Sequence, residues 1–191
     1  MYFDFRYSNS SSSYNMLDRE EIVQELKRFQ KYIISQSRAN LTRQNKNVSK
    51  KLYNSIDGSI FVSKTTSSIG IYFEMEEHGS YQDQGVKGKT SSSKAPNSPY
   101  KFGTGTGKKG GLTEGIEKWV KAKRFQFRDE KGKFMSYKST SWLITRSIWN
   151  KGIKPSYFFT KPFEKAFERL PDELVERYGL NVENLIKSNL K

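Results

Sequence analysis

The chain has 191 residues, a net charge of +14 and no cysteine. Its length suits one domain or one domain with a large insertion, and the lack of cysteine excludes disulfides and thiolate metal sites and favours a reducing compartment. No apolar run approaches the roughly 20 residues of a membrane span, and the N-terminus has no basic region followed by an apolar stretch, so no membrane contact and no secretory signal are predicted.

The N-terminal half predicts a leader, a long helix and a β-hairpin. Residues 1–17 include a serine run with nothing to bury, which is typical of a flexible leader. Apolar residues then recur at helical spacing and predict a helix over about 18–44, with a continuation over 48–56. Two segments rich in β-formers, 59–63 and 69–76, predict the hairpin, and the alternation in the second indicates one buried face.

The middle of the chain changes in composition. Glycine, serine, lysine and proline dominate residues 79–111 and predict a long loop, which in a compact domain is usually functional or ordered only on binding. Helices are predicted over about 113–124 and 139–151, with a short hairpin between them. A C-terminal helix is expected from about Lys161, and Asn181 can cap a last short one.

These elements together predict an α+β fold, in which the long N-terminal helix packs on a small antiparallel β-sheet. Residues 18–191 are expected to form a single domain after the leader. Residues 86–151 are interpreted as a basic insertion, rich in glycine, serine and lysine, that contributes two of the additional helices. The C-terminus contributes the others.

Several short motifs imitate catalytic or cofactor sites, and each lacks its structural context. Gly105–Gly110 matches a dinucleotide pattern without a βαβ unit, and Gly103–Lys109 resembles a phosphate-binding loop that is one residue short. His78 is the only histidine, and its acidic neighbours suit a solvated strand end better than a metal site. Asp129 lacks the acidic partner of a nuclease motif. The sequence therefore predicts no cofactor, no metal and no enzyme, with a metal-dependent nuclease as the enzymatic alternative.

Positive charge is concentrated in one internal segment. Residues 86–154 hold 17 Lys/Arg and 4 Asp/Glu, a net charge of +13, and aromatic residues interleave with the basic ones. Such a segment can neutralise phosphates without reading sequence, grip an acidic protein ring, or simply form a solvated surface. The candidate contacts with DNA or an acidic partner are Lys87, Lys89, Lys94, Lys108, Lys109, Lys121, Lys123 and Arg124.

The order of elements resembles the head–tail connector, or tail-completion (neck, adaptor), proteins of tailed bacteriophages. The segments that carry this resemblance are Leu52–Ile56 (Leu-Tyr-Asn-Ser-Ile), the hairpin of 58–76, Glu77–Tyr81 with Asp83–Gly85, and Pro155–Phe163 running into Lys165–Phe167. They cover about residues 20–85 and 152–178. The family usually joins the glycine stretch to the aromatic–proline motif through a short loop, whereas this chain inserts residues 86–151.

The resemblance implies a structural virion protein that assembles in the host cytoplasm into a ring of six or twelve copies. That ring would join the portal to the tail, contact other neck or tail proteins, and line or seal the channel for duplex DNA. Tyr157, Phe158 and Phe159, displayed after a proline, are the candidate ring-interface anchors. The alternative is a non-sequence-specific nucleic-acid-binding protein that works outside the particle.

Overall fold

A computed structural model describes residues 2–5, 19–62, 69–105 and 111–170. The chain divides into two compact units, each of which is described by itself. Unit 1 comprises Met1–Gly79 and Tyr157–Lys191, and unit 2 comprises Ser80–Ser156. The predicted α+β class is confirmed, because helices and antiparallel strands both contribute to the described residues.

The helices and strands follow one another along the chain without internal repetition. In order they are β1 Tyr2–Phe5, α1 Arg19–Arg43, α2 Lys51–Ser55, β2 Asp57–Val62, β3 Ile69–Glu74, α3 His78–Gln84, β4 Val86–Lys87, α4 Gly111–Ala122, α5 Tyr137–Lys151, β5 Gly152–Ile153 and α6 Thr160–Phe167. The predicted final helix after Asn181 lies outside the described residues.

Unit 1 contains a three-stranded antiparallel sheet in the order β1-β3-β2. Ile71 of β3 is the central position, opposite Ile60 on one side and Phe3 on the other. The prediction that all of residues 1–17 form a flexible leader is therefore wrong for Tyr2–Phe5. Tyrosine and phenylalanine favour strands, and the second edge of β3 offers unpaired backbone groups for them to join. Residues 6–17 lie outside the described residues.

The core of unit 1 lies where α1 and α6 pack around β3. Helix α1 buries a stripe that includes Ile22, Leu26, Phe29 and Ile33, as the helical spacing predicted. The same core takes in Phe73 of β3, as expected for its apolar alternation. The long helix thus packs on the sheet through its apolar face, and α6 packs against α1 in the same core.

Unit 2 is built from α4 and α5, which pack together, and from the short β4–β5 pair. Helix α5 begins where the side chain of Ser136 accepts a hydrogen bond from the backbone of Ser139. It ends at Gly152, whose N–H donates to the carbonyl of Ile148. Between α4 and α5, a single bridge of Arg128 with Phe134 stands where the short hairpin was predicted.

Candidate functional site

The two ends of the basic segment lie side by side. Val86 pairs with Ile153 in the antiparallel β4–β5 ladder. The backbone of Ser156 donates to the carbonyl of Asp83 at 3.0 Å, and its hydroxyl donates to the carbonyl of Gln82 at 2.6 Å. The chain therefore leaves for the segment and returns from it at one place, as an insertion requires.

Close backbone approach at this junction requires glycine. Gly85 has φ +73°, and a Cβ there would lie 2.5 Å from the carbonyl oxygen of Ile153. Gly152 has φ +82°, and a Cβ there would lie 2.6 Å from the backbone nitrogen of Gly88. Both positions combine a backbone conformation that favours glycine with contacts that leave no room for a side chain.

The expectation of a long loop over 79–111 is wrong where α3 and β4 lie, whereas residues 88–105 are irregular and are ordered by hydrogen bonds. The buried hydroxyl of Ser98 donates to the carbonyl of Gly85 at 2.8 Å and accepts from the N–H of Tyr100. Tyr100 in turn accepts from the backbone of Lys87 at 2.8 Å. The Tyr100 ring lies 4.6 Å from that of Tyr81 between centroids, and burial raises the pKa of its phenol.

Six of the eight basic residues predicted to contact DNA or an acidic partner are described, and these six fall on two stretches of backbone. Lys87, Lys89 and Lys94 follow α3, and the N–H of Lys89 donates to the carbonyl of Trp149 at 2.8 Å. Lys121, Lys123 and Arg124 lie at the C-terminal end of α4, all with exposed side chains. Lys108 and Lys109 lie outside the described residues.

The lysines of α4 differ in how far their charge is already balanced. Lys118 lies 3.4 Å from Glu114, and Lys121 lies 2.7 Å from Glu117, each pair one helical turn apart. Lys123 forms no ion pair within the described ranges. The charge that remains for a partner is therefore greatest just beyond the helix.

The Glu117–Lys121 pair gives a pH-dependent prediction. The hydrogen bond and the charge of Lys121 hold the pKa of the Glu117 carboxyl below its ordinary value. A depressed folded-state pKa stabilises the fold above the unfolded-state pKa, and that contribution disappears as pH falls through the folded value. We expect Lys121→Met to raise the pKa of Glu117, as measured by NMR titration, whereas Lys118→Met leaves it unchanged. An unaltered value in Lys121→Met would contradict the pairing.

Exposed aromatic rings form a second feature at the end of α4. Trp119, Phe125 and Phe127 are 38%, 40% and 38% exposed. The rings of Trp119 and Phe125 lie 6.1 Å apart between centroids, and those of Phe125 and Phe127 lie 5.2 Å apart. We name these three rings, with Lys123 and Arg124, the basic–aromatic surface. The sequence shows that aromatics interleave with bases here, but it does not show that the rings are exposed, because aromatics more often fill cores.

The three aromatics expected to anchor a ring interface do not share one environment. Phe158 and Phe159 are buried in the core of unit 1, so the expectation that they are displayed is wrong. The ring of Phe159 lies 5.4 Å from that of Phe73, and the carbonyl of Phe158 accepts from the side chain of Asn40. Tyr157 alone is exposed, at 37%. A nearby proline does not keep these two phenylalanines exposed, because the hydrophobic effect favours the burial of their side chains.

Asp129 and His78, the described residues considered above as catalytic or metal-binding candidates, lie at the surface. The carboxylate of Asp129 accepts from the backbone of Lys131 and Lys133, so it closes the turn after α4. His78 lies 3.9 Å from Glu76 at the surface. In the described part of the chain, no group of three or more His, Asp or Glu side chains could hold a metal ion.

A shallow groove of about 690 Å³ runs along α1 in unit 1. Among its lining residues, Arg38 donates to the carbonyls of Tyr53 and Ile56, so this guanidinium ties α1 to the segment before β2. Carboxylate, imidazole and thiol groups do not line the groove.

Comparison with protein-family models, with curated proteins and with solved structures found no match. Within the described ranges, every helix is too short or too polar to cross a membrane.

Proposed function

We propose that this chain is a structural subunit of the ring at the head–tail junction of a tailed bacteriophage. In this role it joins portal to tail and lines or seals the channel for DNA, without catalysing a reaction. The observation that carries the proposal is that segments on which the phage resemblance depends, far apart in sequence, pack into the single core of unit 1.

That core links the helix–hairpin half of the resemblance to its aromatic–proline half. Leu52 and Ile56 of the Leu-Tyr-Asn-Ser-Ile segment are buried in it, as are Phe158, Phe159 and Phe163. Between the two buried residues of the first segment, the hydroxyl of Ser55 accepts from the N–H of Glu76 at 3.0 Å, which ties α2 to the end of the hairpin. The parts of the resemblance pack against one another in one core, which favours a scaffold shared with the phage family over a chance likeness.

The main departure from the family also fits the proposal. Residues 86–151 depart and return through β4 and β5, whose strands pair side by side. An insertion with joined ends can be added to a ring subunit without altering the scaffold at its base. We therefore regard the basic segment as an elaboration of a neck protein.

Purified particles of the phage that encodes this chain provide the test. We expect the protein in virions at ring stoichiometry, and cryo-electron microscopy should place unit 1 in the neck. The recombinant chain should assemble, alone or with the portal ring, into a species of six or twelve times 22.2 kDa by mass photometry. Absence from virions, together with a recombinant protein that stays monomeric or dimeric, would overturn the proposal in favour of a free nucleic-acid-binding protein.

Tyr157 is the remaining candidate among the predicted interface anchors. If it lies in a ring contact, Tyr157→Ala should reduce the assembled fraction without lowering the unfolding midpoint. Tyr81→Ala is the matched control, because Tyr81 is 39% exposed and lies in unit 2. Equal assembly of both variants would show that Tyr157 is not in the interface. The existence of the ring would then be tested by the virion measurement alone.

A further inference from the structure

The basic–aromatic surface combines two features: aromatic rings that are exposed to solvent, and exposed cations that are their neighbours in sequence. Helix α4 ends in a tight turn, where the N–H of Phe125 donates to the carbonyl of Val120 at 2.9 Å. Arg124 adopts φ +51° in this turn. The chain consequently folds back so that the ring of Phe125 lies beside that of Trp119.

The segment after the turn is extended and fixed by hydrogen bonds. The side chain of Gln126 donates to the carbonyl of Met135, and the N–H of Phe127 donates to the hydroxyl of Thr140 at 3.3 Å. Successive side chains of an extended segment point to opposite sides. Gln126 therefore faces the rest of unit 2, while Phe125 and Phe127 share the outer side.

Two cations next to these rings in sequence are available to a partner. Lys123 and Arg124 are exposed and form no ion pair within the described residues. Arg128 belongs by the same alternation to the side of Gln126, where its guanidinium lies 4.0 Å from the centroid of the Phe134 ring and donates to the carbonyl of Gly132. Because unit 2 holds 17 Lys/Arg and 5 Asp/Glu, a net charge of +12, its electrostatic potential favours a polyanion over a neutral partner.

We propose that the basic–aromatic surface binds single-stranded nucleic acid, with bases stacked on Trp119, Phe125 and Phe127 and phosphates held by Lys123 and Arg124. Every base has a face that can stack on an aromatic ring, so binding tolerates any sequence. In a duplex those faces are covered by neighbouring base pairs, so the surface prefers single strands. This activity goes beyond the proposed ring and does not depend on it.

The test uses the full chain and a fluorescein-labelled 20-nucleotide oligo-dT, followed by fluorescence anisotropy. We expect tighter binding to this strand than to a duplex of the same length. Phe127→Leu should weaken binding roughly tenfold, in line with the loss of one stacked base. Tyr81→Leu is the matched control, an equally exposed aromatic of unit 2 outside the surface, and it should bind as the unaltered chain does.

The phosphate contacts have their own control. Lys123→Ala should weaken binding and reduce the slope of log affinity against log salt by about 0.7, as expected for one phosphate of a single strand. Lys94→Ala, which removes an exposed lysine outside the surface, should change affinity less. Binding should also quench tryptophan fluorescence, and Trp119→Phe should lose most of that quenching while keeping most of the affinity.

Three results would overturn the proposal. They are no binding of oligo-dT at low salt, equal affinity for duplex and single strand, and equal affinity of Phe127→Leu and Tyr81→Leu. A failure to bind oligo-dT would leave an acidic protein as the partner of this surface. Either of the other two results would mean that the chain attracts nucleic acid by unspecific charge alone. Circular dichroism of each variant verifies that unit 2 is folded. Because the measurement needs neither virions nor a ring, its failure leaves the proposed neck function untouched.

Discussion

Phe163→Ala is expected to lower the free energy of unfolding by about 3–5 kcal/mol, the range for removing a large aromatic from a packed core. The Phe163 side chain is 1% exposed. Its ring lies 5.5 Å from that of Phe29 in α1, 6.4 Å from that of Phe73 in β3, and 6.1 Å from that of Phe159. Alanine would leave a cavity where α1, the sheet and α6 meet, and these elements cannot close it without moving together.

Urea unfolding followed by far-ultraviolet circular dichroism measures this loss through the shift of the midpoint at constant slope. Val48→Ala is the matched control in unit 1, because Val48 is hydrophobic but exposed, and it should change stability by less than about 0.5 kcal/mol. A loss below about 1 kcal/mol in Phe163→Ala would contradict the packing of α6 against α1 and β3.

The elements that the sequence predicts well are those whose signal is local. The apolar stripe of α1 predicted a helix over about 18–44, and the structure has Arg19–Arg43. The helix predicted over 139–151 is found at Tyr137–Lys151, and Gly152 follows its last residue. The buried face of a helix follows from the spacing of apolar residues that are close in sequence, so composition and spacing suffice to predict it.

The order of residues 79–105 could not be predicted in the same way. Glycine, serine and proline are typical of loops, yet here they allow close packing. The hydroxyl of Ser98 reaches back to Gly85, and the N–H of Lys89 donates to Trp149, some 60 positions later. Helix α3, His78–Gln84, was missed because glycine and serine have low helix propensity. Non-local hydrogen bonds order this segment, and spacing along the chain does not reveal them.

The same contrast between local sequence signals and non-local contacts applies to the candidate site. Counting lysines located the basic segment, since charge is visible in any sequence. The sequence does not reveal which aromatic side chains are exposed. Phe158 and Phe125 both follow basic residues closely, yet Phe158 is buried in unit 1 and Phe125 is exposed in unit 2. The difference depends on which tertiary surface is available to each ring, and that is decided by the packing of residues distant in sequence.

Gly152→Ala is expected to destabilise unit 2 by about 3 kcal/mol or more, because it combines backbone strain with a steric clash. Gly152 adopts φ +82° and ψ −179°, a region used almost only by glycine. Its Cβ would also meet the carbonyl of Val86 and the backbone nitrogen of Gly88. To admit a side chain, the β4–β5 pair at the base of the basic segment would have to separate.

All three tryptophans lie in unit 2, so urea unfolding followed by tryptophan fluorescence reports this change directly. Gly132→Ala separates the two causes. Gly132 also has positive φ, +76°, but nothing lies within 4 Å of a Cβ there, so strain alone should cost only about 1 kcal/mol. Gly115→Ala, at an open position inside α4, should instead stabilise the protein by about 0.5–1 kcal/mol. If Gly152→Ala costs no more stability than Gly132→Ala, β4 and β5 are not held as closely as the backbone contacts require.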